Sequence, residues 1–249
     1  MNRVLWAGIL ALLAAPAAAG IVGEAVDYEV GGETFEGYLA RNTDLPQTRG
    51  LVVIVHDWDG LTDYEKLRAD MLAAAGYTAF AVDVYGKEAK PSSVEEYQKL
   101  SGALFADRPL FRERLMGSLA AAQKAAGASG KTVVIGYCFG GGGALEMARA
   151  GADVAGFVSF HGALTTPEGE DYSQTKAPVL LLHGAADPYF GMPVLAAAID
   201  EMQSAGVPMD AEVFGGARHS FTVWGSSDYD LDADTRSWSA LQDFLRDRL

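Results

Sequence analysis

The stretch Thr132–Leu145, which reads TVVIGYCFGGGGAL, decides how we interpret the rest of the chain. A β-branched apolar run leads into Gly136-x-Cys138-x-Gly140, and a helix-forming segment follows. This order predicts a nucleophile elbow, a sharp strand-to-helix turn with Cys138 at its centre, where serine is the commoner residue. Glycine suits positions 136 and 140 because side chains there would clash in such a turn. The alternative interpretation is that Cys138 is a small buried hydrophobic residue, as most free cysteines are.

The start of the predicted helix favours a chemical role for Cys138. The first turn of a helix leaves backbone N–H groups without partners, and the positive end of the helix dipole lies there. Such a position stabilises both a thiolate and an oxygen that develops negative charge.

Length and composition predict a single domain over residues 20–249, because 249 residues with 49% hydrophobic content can bury one sizeable core. Residues 1–19 resemble a secretory signal peptide. Asn2 and Arg3 form a short basic start, Val4–Leu13 is apolar, and Ala17–Ala19 supply small residues for cleavage. A membrane anchor is the alternative, but the apolar run is shorter than the roughly 20 residues that span a bilayer. We therefore expect a secreted or periplasmic protein.

The charge and the cysteine count exclude several classes of function. A formal net charge of −14 repels phosphate backbones and anionic lipids, so we expect neither nucleic acid nor membrane partners after signal removal, and we expect a monomer. The single cysteine has no disulfide partner in its own chain and no second thiol for zinc or dithiol chemistry. In an oxidising compartment this favours a chemical role or burial for Cys138.

Strand and helix patterns alternate along the chain. Residues 25–39 form two alternating segments around Gly31-Gly32 and predict an antiparallel hairpin. Buried strands are predicted at 51–55 and 78–82, and short apolar strands at 132–137, 156–160, 179–182 and 211–214. Helices are predicted at 62–76, 93–105, 109–126, 193–206 and 235–249. This order predicts an α/β fold with a doubly wound, mostly parallel sheet and an N-terminal antiparallel hairpin. Ligands of such sheets bind beyond the carboxyl ends of the strands.

Three candidate catalytic residues follow predicted strands in the order nucleophile, acid, histidine. They are Cys138, Asp187 and His219. In this hypothesis Cys138 attacks a carbonyl carbon, His219 transfers the proton, and Asp187 fixes the imidazole tautomer. The alternative role for Asp187 is to cap its loop ahead of Pro188.

The remaining three histidines also stand at strand ends. His56 and His161 precede Asp187 and therefore break the expected order, while His183 lies directly before Gly184, where a turn is needed. We interpret all three as structural residues that support the site.

An oxyanion hole is expected from two backbone N–H groups. The elbow supplies that of Phe139, and the loop after the first long strand supplies that of Trp58. Asp57 stands beside the second donor, where it either influences the thiol or caps a turn.

From about Leu51 to the C-terminus the chain resembles the dienelactone hydrolase family of α/β-hydrolases. Five blocks carry the resemblance: His56–Gly60, Ala81–Tyr85, Gly136–Gly141, His183–Asp187 and Gly216–Phe221. The resemblance implies an α/β-hydrolase fold, a triad of Cys138, His219 and Asp187, and no metal or organic cofactor.

The chain departs from the family pattern at the thiol and at the substrate carboxylate. The family usually has Glu where this chain has Asp57, and there the acid helps to control the ionisation of the thiol. Two arginines that hold the carboxylate of dienelactone match Lys87 and Val223 here. We expect Lys87 and Tyr85 to contact substrate, and Arg218 to do so only when its side chain points inward. Lys87 lacks the bidentate fork of arginine and Val223 lacks its charge, so dienelactone itself is not the expected substrate.

The sequence therefore predicts a cysteine-dependent hydrolase of a small ester or lactone. A ligand-binding or interaction protein on the same scaffold is the alternative, since a fold does not imply a function. Redox sensing by Cys138 is a third hypothesis, and it lacks a resolving cysteine.

Overall fold

A computed structural model describes residues 20–127 and 130–249. The predicted signal peptide, residues 1–19, lies outside the described residues. The described part contains eight strands and six helices. The strands are β1 Ile21–Val30, β2 Glu33–Asn42, β3 Leu51–Val55, β4 Thr78–Val82, β5 Thr132–Tyr137, β6 Gly156–Phe160, β7 Val179–Gly184 and β8 Met209–Phe214. The helices are α1 Asp63–Ala74, α2 Val94–Ala106, α3 Arg108–Ala126, α4 Phe139–Arg149, α5 Met192–Ser204 and α6 Leu231–Arg248.

The eight strands form one sheet in the order β1-β2-β4-β3-β5-β6-β7-β8. The pairs from β4 to β8 are parallel, whereas β1 pairs antiparallel with β2, and β2 pairs antiparallel with β4. This confirms the predicted α/β fold with a mostly parallel sheet and an N-terminal hairpin. The hairpin is longer than the sequence pattern indicated, and Gly31 and Gly32 make its turn at positive φ.

Helices cover both faces of the sheet and bury two apolar clusters. Leu72 of α1 and Leu241 of α6 belong to the cluster on one face, while Leu115 of α3, Leu145 of α4 and Leu195 of α5 belong to the other. Strands β3 to β7 are buried along their whole lengths, which explains their continuous apolar sequences. The loops that follow these strands begin at their carboxyl ends.

Capping side chains set two helix starts. Thr62 and Glu65 form the predicted capping box at the start of α1. Helix α6 begins at Leu231, four residues before the predicted start, because the Asp230 side chain accepts a hydrogen bond from the Ala233 N–H and caps it there.

No helix in residues 20–127 and 130–249 is long and apolar enough to cross a membrane.

Candidate active site

The elbow after β5 has the geometry that its sequence predicts. Cys138 adopts φ 49° and ψ −108° and directly precedes α4. A Cβ atom on Gly136 would lie 2.0 Å from the carbonyl oxygen of Gly140, and one on Gly140 would lie 2.2 Å from the carbonyl oxygen of Val55. Both positions therefore require glycine, because backbone atoms that near cannot move aside.

The structure brings the three candidate catalytic side chains into one hydrogen-bonded row. His219 Nε2 lies 3.0 Å from Cys138 Sγ, and His219 Nδ1 lies 2.7 Å from Asp187 Oδ2. Asp187 and His219 are buried, and Cys138 is partly accessible. A thiol, an imidazole and a carboxylate in this order can pass a proton away from the sulfur.

The loop after β7 holds Asp187 with its second oxygen. Asp187 Oδ1 accepts hydrogen bonds from the backbone N–H groups of Tyr189 at 2.8 Å and Phe190 at 3.0 Å. Burial acts to raise the pKa of Asp187, but the bonds from His219 and from these N–H groups outweigh it and lower the pKa to about 2. Asp187 is therefore ionised at every physiological pH, and it fixes the orientation of the imidazole. Asp187 therefore caps its loop with one oxygen and contacts His219 with the other.

Asp57 lies on the other side of Cys138 and contacts its thiol group. Burial raises the pKa of the Cys138 thiol well above its ordinary value, and the negative charge of Asp57 raises it further. The same burial, together with Asp59, raises the pKa of Asp57 to about 6. Burial and Asp57 thus both oppose formation of the thiolate that the helix start alone favours.

Each of the two predicted oxyanion donors already has a hydrogen-bond acceptor. The Phe139 N–H lies within hydrogen-bonding reach of the Cys138 sulfur. The Trp58 N–H donates to Asp57 Oδ1 at 2.5 Å. Asp57 thus holds one of the two N–H groups that the sequence predicts as oxyanion donors, which is a second contact between this acid and the site.

Glu65 holds the loop that carries Asp57, a role that the sequence did not reveal. Glu65 Oε1 accepts the Asp57 N–H at 3.2 Å, while Oε2 accepts the N–H and the hydroxyl of Thr62, both at 2.9 Å. The side chain is fully buried, and burial followed by the charge of Asp59 raises its pKa to about 8. The capping box of α1 was visible in the sequence, but its reach to residue 57 depends on the fold.

The other three histidines direct their hydrogen bonds away from the thiol. His56 Nδ1 lies 2.5 Å from the carbonyl oxygen of its neighbour Asp57, His161 Nε2 lies 2.8 Å from Thr222 Oγ1, and His183 Nε2 lies 2.7 Å from the carbonyl oxygen of Phe190. All three are buried, and burial lowers the pKa of each. His161 also packs its ring edge-on against His219, with ring centroids 5.4 Å apart. This geometry agrees with a supporting role.

A cavity of about 350 Å³ opens above Cys138 and His219. Besides Cys138, His219, Trp58 and Phe139, it is lined by Gln98, Ser101, Phe105, Ala163, Tyr189, Phe190, Ser220 and Asp228. None of the last eight was singled out in the sequence. Tyr189 and Phe190 could have been found, because they stand two and three residues after the predicted acid, whereas Gln98, Ser101 and Phe105 come from the mostly exposed helix α2.

Lys87 and Tyr85 do not reach this cavity, contrary to the expectation that they contact substrate. Lys87 Nζ binds Asp27 Oδ2 at 2.5 Å and Glu36 Oε2 at 3.3 Å, which holds the ammonium group against the hairpin. Tyr85 is buried behind the loop after β3, where its hydroxyl donates to the Trp58 carbonyl oxygen at 2.8 Å. Tyr85 therefore supports the loop that Trp58 belongs to.

Arg218 and Val223 are likewise absent from the cavity wall. Arg218 Nε donates to Asp228 Oδ1 at 2.8 Å, and the arginine side chain is 53% exposed. The guanidinium group points outward, so it does not replace the arginines of the family pattern. Within residues 20–127 and 130–249 there is also no group of His, Cys, Asp or Glu side chains that could hold a metal ion.

A mostly parallel eight-stranded sheet with an elbow after β5, an acid after β7 and a histidine after β8 defines an α/β-hydrolase. The model of the dienelactone hydrolase family matches residues 35–249. The chain belongs to the dienelactone hydrolase family.

Three known proteins illustrate this relationship. A Bradyrhizobium sp. protein named "Probable 2-oxo-3-(5-oxofuran-2-ylidene)propanoate lactonase" is 27% identical over 234 residues, which cover 89% of this chain and 92% of the relative. The crystal structure of a dienelactone hydrolase-like promiscuous phosphotriesterase from metagenomic libraries has a TM-score of 0.86 and 30% identity over 92% of this chain and 99% of that one. A dienelactone hydrolase from Anabaena variabilis, at 21% identity and a TM-score of 0.69 over 92% of this chain and 99% of that one, shares the fold.

Proposed function

We propose that the protein hydrolyses a small ester or lactone with Cys138 as nucleophile. The single observation that carries the proposal is the row from Cys138 Sγ through the His219 ring to Asp187, with distances of 3.0 Å and 2.7 Å. Each side chain follows the end of a strand. Cys138 and His219 line the cavity, and Asp187 contacts His219. The arrangement supports a nucleophile, a general base and a residue that orients the base.

In the first half of the reaction, His219 Nε2 takes the thiol proton while the sulfur attacks the carbonyl carbon of the substrate. Asp187 stabilises the imidazolium that forms. His219 then returns the proton to the leaving alcohol oxygen as the carbon–oxygen bond breaks, which leaves a thioester on Cys138. For a lactone, the leaving oxygen stays attached to the acyl group.

The developing oxyanion needs the N–H groups of Phe139 and Trp58. In the described state Asp57 Oδ1 accepts the Trp58 N–H. We infer that the substrate oxygen replaces this carboxylate as the acceptor. Because the charge of Asp57 raises the pKa of the thiol, moving the carboxylate away also makes the thiol easier to ionise. Substrate binding and activation of the nucleophile would then occur together.

In the second half, water attacks the thioester. His219 takes a proton from the water, and the Phe139 and Trp58 N–H groups again stabilise the tetrahedral intermediate. When the carbon–sulfur bond breaks, the Cys138 sulfur leaves and takes the proton back from His219. The products are the carboxylic acid and the regenerated thiol, so that no cofactor enters the cycle.

One relative carries a name that supports lactone hydrolysis, and another carries a name that points to a wider range of substrates. The Bradyrhizobium protein is named a lactonase and the metagenomic protein a promiscuous phosphotriesterase. A substrate panel for this chain therefore contains aryl esters, lactones of different ring size and one aryl phosphotriester.

The decisive experiment compares hydrolysis of this panel by the wild-type protein and by Cys138→Ala. We expect kcat/KM to fall by at least about 10³-fold in the variant, because the nucleophile is lost while the cavity stays intact. Circular dichroism verifies that the variant is folded. Equal rates for the two proteins would contradict the assignment of the nucleophile.

Alkylation separates the hydrolase from a ligand-binding protein on the same scaffold. The native protein is treated with iodoacetamide and weighed by mass spectrometry, with His219→Gln as the matched control. A functional thiol–imidazole pair predicts one label on the wild-type protein and slower labelling of the control. A thiol that reacts only after unfolding, together with no hydrolysis of the panel, would favour the binding protein.

A further inference from the structure

The cavity above Cys138 is walled by aromatic rings. Trp58, Phe105, Phe139, Tyr189 and Phe190 all line it. Phe139 is the first residue of α4 and follows the thiol directly, Phe190 comes from the loop that carries Asp187, and Phe105 comes from α2. A wall of rings favours apolar groups of similar size, because flat aromatic faces pack well against one another.

The charge on the wall of this cavity is negative. Asp228 lines the cavity directly, and Asp57 and Asp187 stand behind Cys138 and His219. In the described part of the chain, no lysine or arginine lines it. A substrate that brings its own carboxylate would therefore meet acids and find no cation on the wall.

The basic side chains around the site are each paired with an acid, and one of these acids, Asp228, lines the cavity itself. Arg218 Nε binds Asp228 Oδ1 at 2.8 Å, and Arg108, whose guanidinium lies 4.6 Å from the centre of the Phe105 ring, binds the buried Glu146. Lys87 is held by the hairpin acids, as described above. Asp228 thus places a carboxylate on the wall, and its ion pair with Arg218 holds that arginine, which is not part of the wall.

We propose that the site takes uncharged esters or lactones with an apolar, ring-sized group, and that Asp228 determines this specificity by excluding carboxylate-bearing substrates. This inference rests on the proposed hydrolase function. A carboxylate that enters the cavity loses water contacts without gaining a cation, and it lies near the like charge of Asp228. Both effects oppose binding of anionic substrates in the ground state and in the transition state alike.

The test uses two aryl acetates of nearly equal shape, 4-acetoxyacetophenone and 4-acetoxybenzoate. They differ by a methyl ketone in place of a carboxylate, and each enzymatic rate is divided by the hydroxide-catalysed rate of the same ester to correct for the leaving group. We expect the wild-type protein to give about 100-fold lower kcat/KM for the anionic ester, since like-charge contacts in a binding site cost several kcal/mol. Raising the ionic strength should reduce the difference in kcat/KM between the two esters, because salt screens the charge of the partly exposed Asp228.

Asp228→Asn tests the residue itself. The substitution removes the negative charge and weakens the contact with Arg218. The kcat/KM of the anionic ester, relative to that of the uncharged ester, should therefore rise by about tenfold. Asp228→Glu is the matched control, since it keeps the charge and should keep a ratio close to that of the wild type. The double variant Asp228→Asn/Arg218→Gln then tells whether the gain comes from lost repulsion or from the released arginine.

The outcomes separate this inference from the function on which it rests. Equal normalised rates for the two esters in the wild-type protein would overturn the exclusion of anions while leaving the hydrolase intact. Unequal rates that Asp228→Asn leaves unchanged would overturn the role of Asp228. Failure of the wild-type protein to hydrolyse either ester, with Cys138→Ala indistinguishable from it on the whole panel, would instead contradict the hydrolase. The wild-type ratio and its salt dependence test the charge effect even where a variant does not fold.

Discussion

Two loops each bring an aspartate to the Cys138–His219 pair, and the pKa values of the two carboxyl groups are shifted in opposite directions. The loop after β3 carries Asp57, whose pKa is raised to about 6, and the loop after β7 carries Asp187, whose pKa is lowered to about 2. Both side chains are more than nine-tenths buried. Burial alone cannot lower the pKa of Asp187, since it acts to raise the pKa of both carboxyl groups.

The partners of each carboxylate explain the difference. Asp187 has the His219 ring on one oxygen and two backbone N–H groups on the other. Asp57 has a single backbone N–H, the Cys138 thiol group and the nearby charge of Asp59. Hydrogen bonds to the charged form lower a carboxyl pKa, and like charges raise it. The donor count thus makes one aspartate a permanent anion and the other a group that ionises near neutral pH.

The largest expected effect comes from removing the permanent anion. Asp187→Asn keeps the shape of the side chain but loses the charge that fixes the His219 tautomer. We expect kcat to fall by about 10³- to 10⁴-fold at pH 7, by analogy with the measured loss in other triads. Steady-state hydrolysis of an uncharged aryl ester gives the value. A loss smaller than about tenfold would mean that Asp187 only caps its loop.

A smaller and opposite effect is expected at Asp57. Because its charge raises the pKa of the Cys138 thiol, Asp57→Asn should lower that pKa and speed alkylation by iodoacetamide at pH 7, by about tenfold for each unit of change. The pH dependence of alkylation measures the effect without needing turnover. Asp57→Glu, which keeps the charge, is the control. Slower or unchanged labelling of Asp57→Asn would show that this acid does not restrain the thiol.

The smallest expected effect is on the free energy of unfolding, which the Asp57 and Asp187 variants should change in opposite directions at pH 8. The folded pKa of Asp57 lies above the ordinary 3.8, so its ionisation costs stability above about pH 6, and the cost disappears as the pH falls toward 3.8. Asp57→Asn should therefore raise the free energy of unfolding by about 1 to 3 kcal/mol at pH 8 and have little effect at pH 4.

Asp187 has the reverse sign. Its folded pKa lies below 3.8, so its contribution is present above that pH and is lost as the pH falls from 3.8 toward 2. Asp187→Asn should thus destabilise the protein at pH 8 and at pH 5 alike. Urea unfolding at the three pH values checks both signs, and two variants that shift stability in the same direction at pH 8 would contradict the comparison.

The sequence was sufficient for the fold and for the order of the triad. Apolar runs such as Leu51–Val55 are long enough to identify buried strands, and strand ends in a parallel sheet meet at one edge, so Cys138, Asp187 and His219 could be grouped without coordinates. Gly136 and Gly140 were also predictable, because the turn leaves no space for a Cβ atom.

Through-space partners could not be predicted in the same way. Lys87 matches a family arginine by position, but two acids of the β1–β2 hairpin hold it away from the cavity. The helix start predicted a stabilised thiolate, whereas burial and the charge of Asp57 raise the pKa of the thiol. These outcomes depend on which side chains the folded chain places within a few ångströms of each other, which spacing along the chain does not encode.

The carboxylate of Glu65, shared between the first turn of α1 and the backbone of residue 57, has a consequence for protein engineering. The Thr62 hydroxyl at the start of α1 donates to the same carboxylate that accepts the Asp57 N–H, so a substitution at Thr62 would remove one of the hydrogen bonds that hold this carboxylate beside the loop. Libraries built on this outer turn would therefore adjust the loop from outside the cavity, without replacing any residue of the cavity wall.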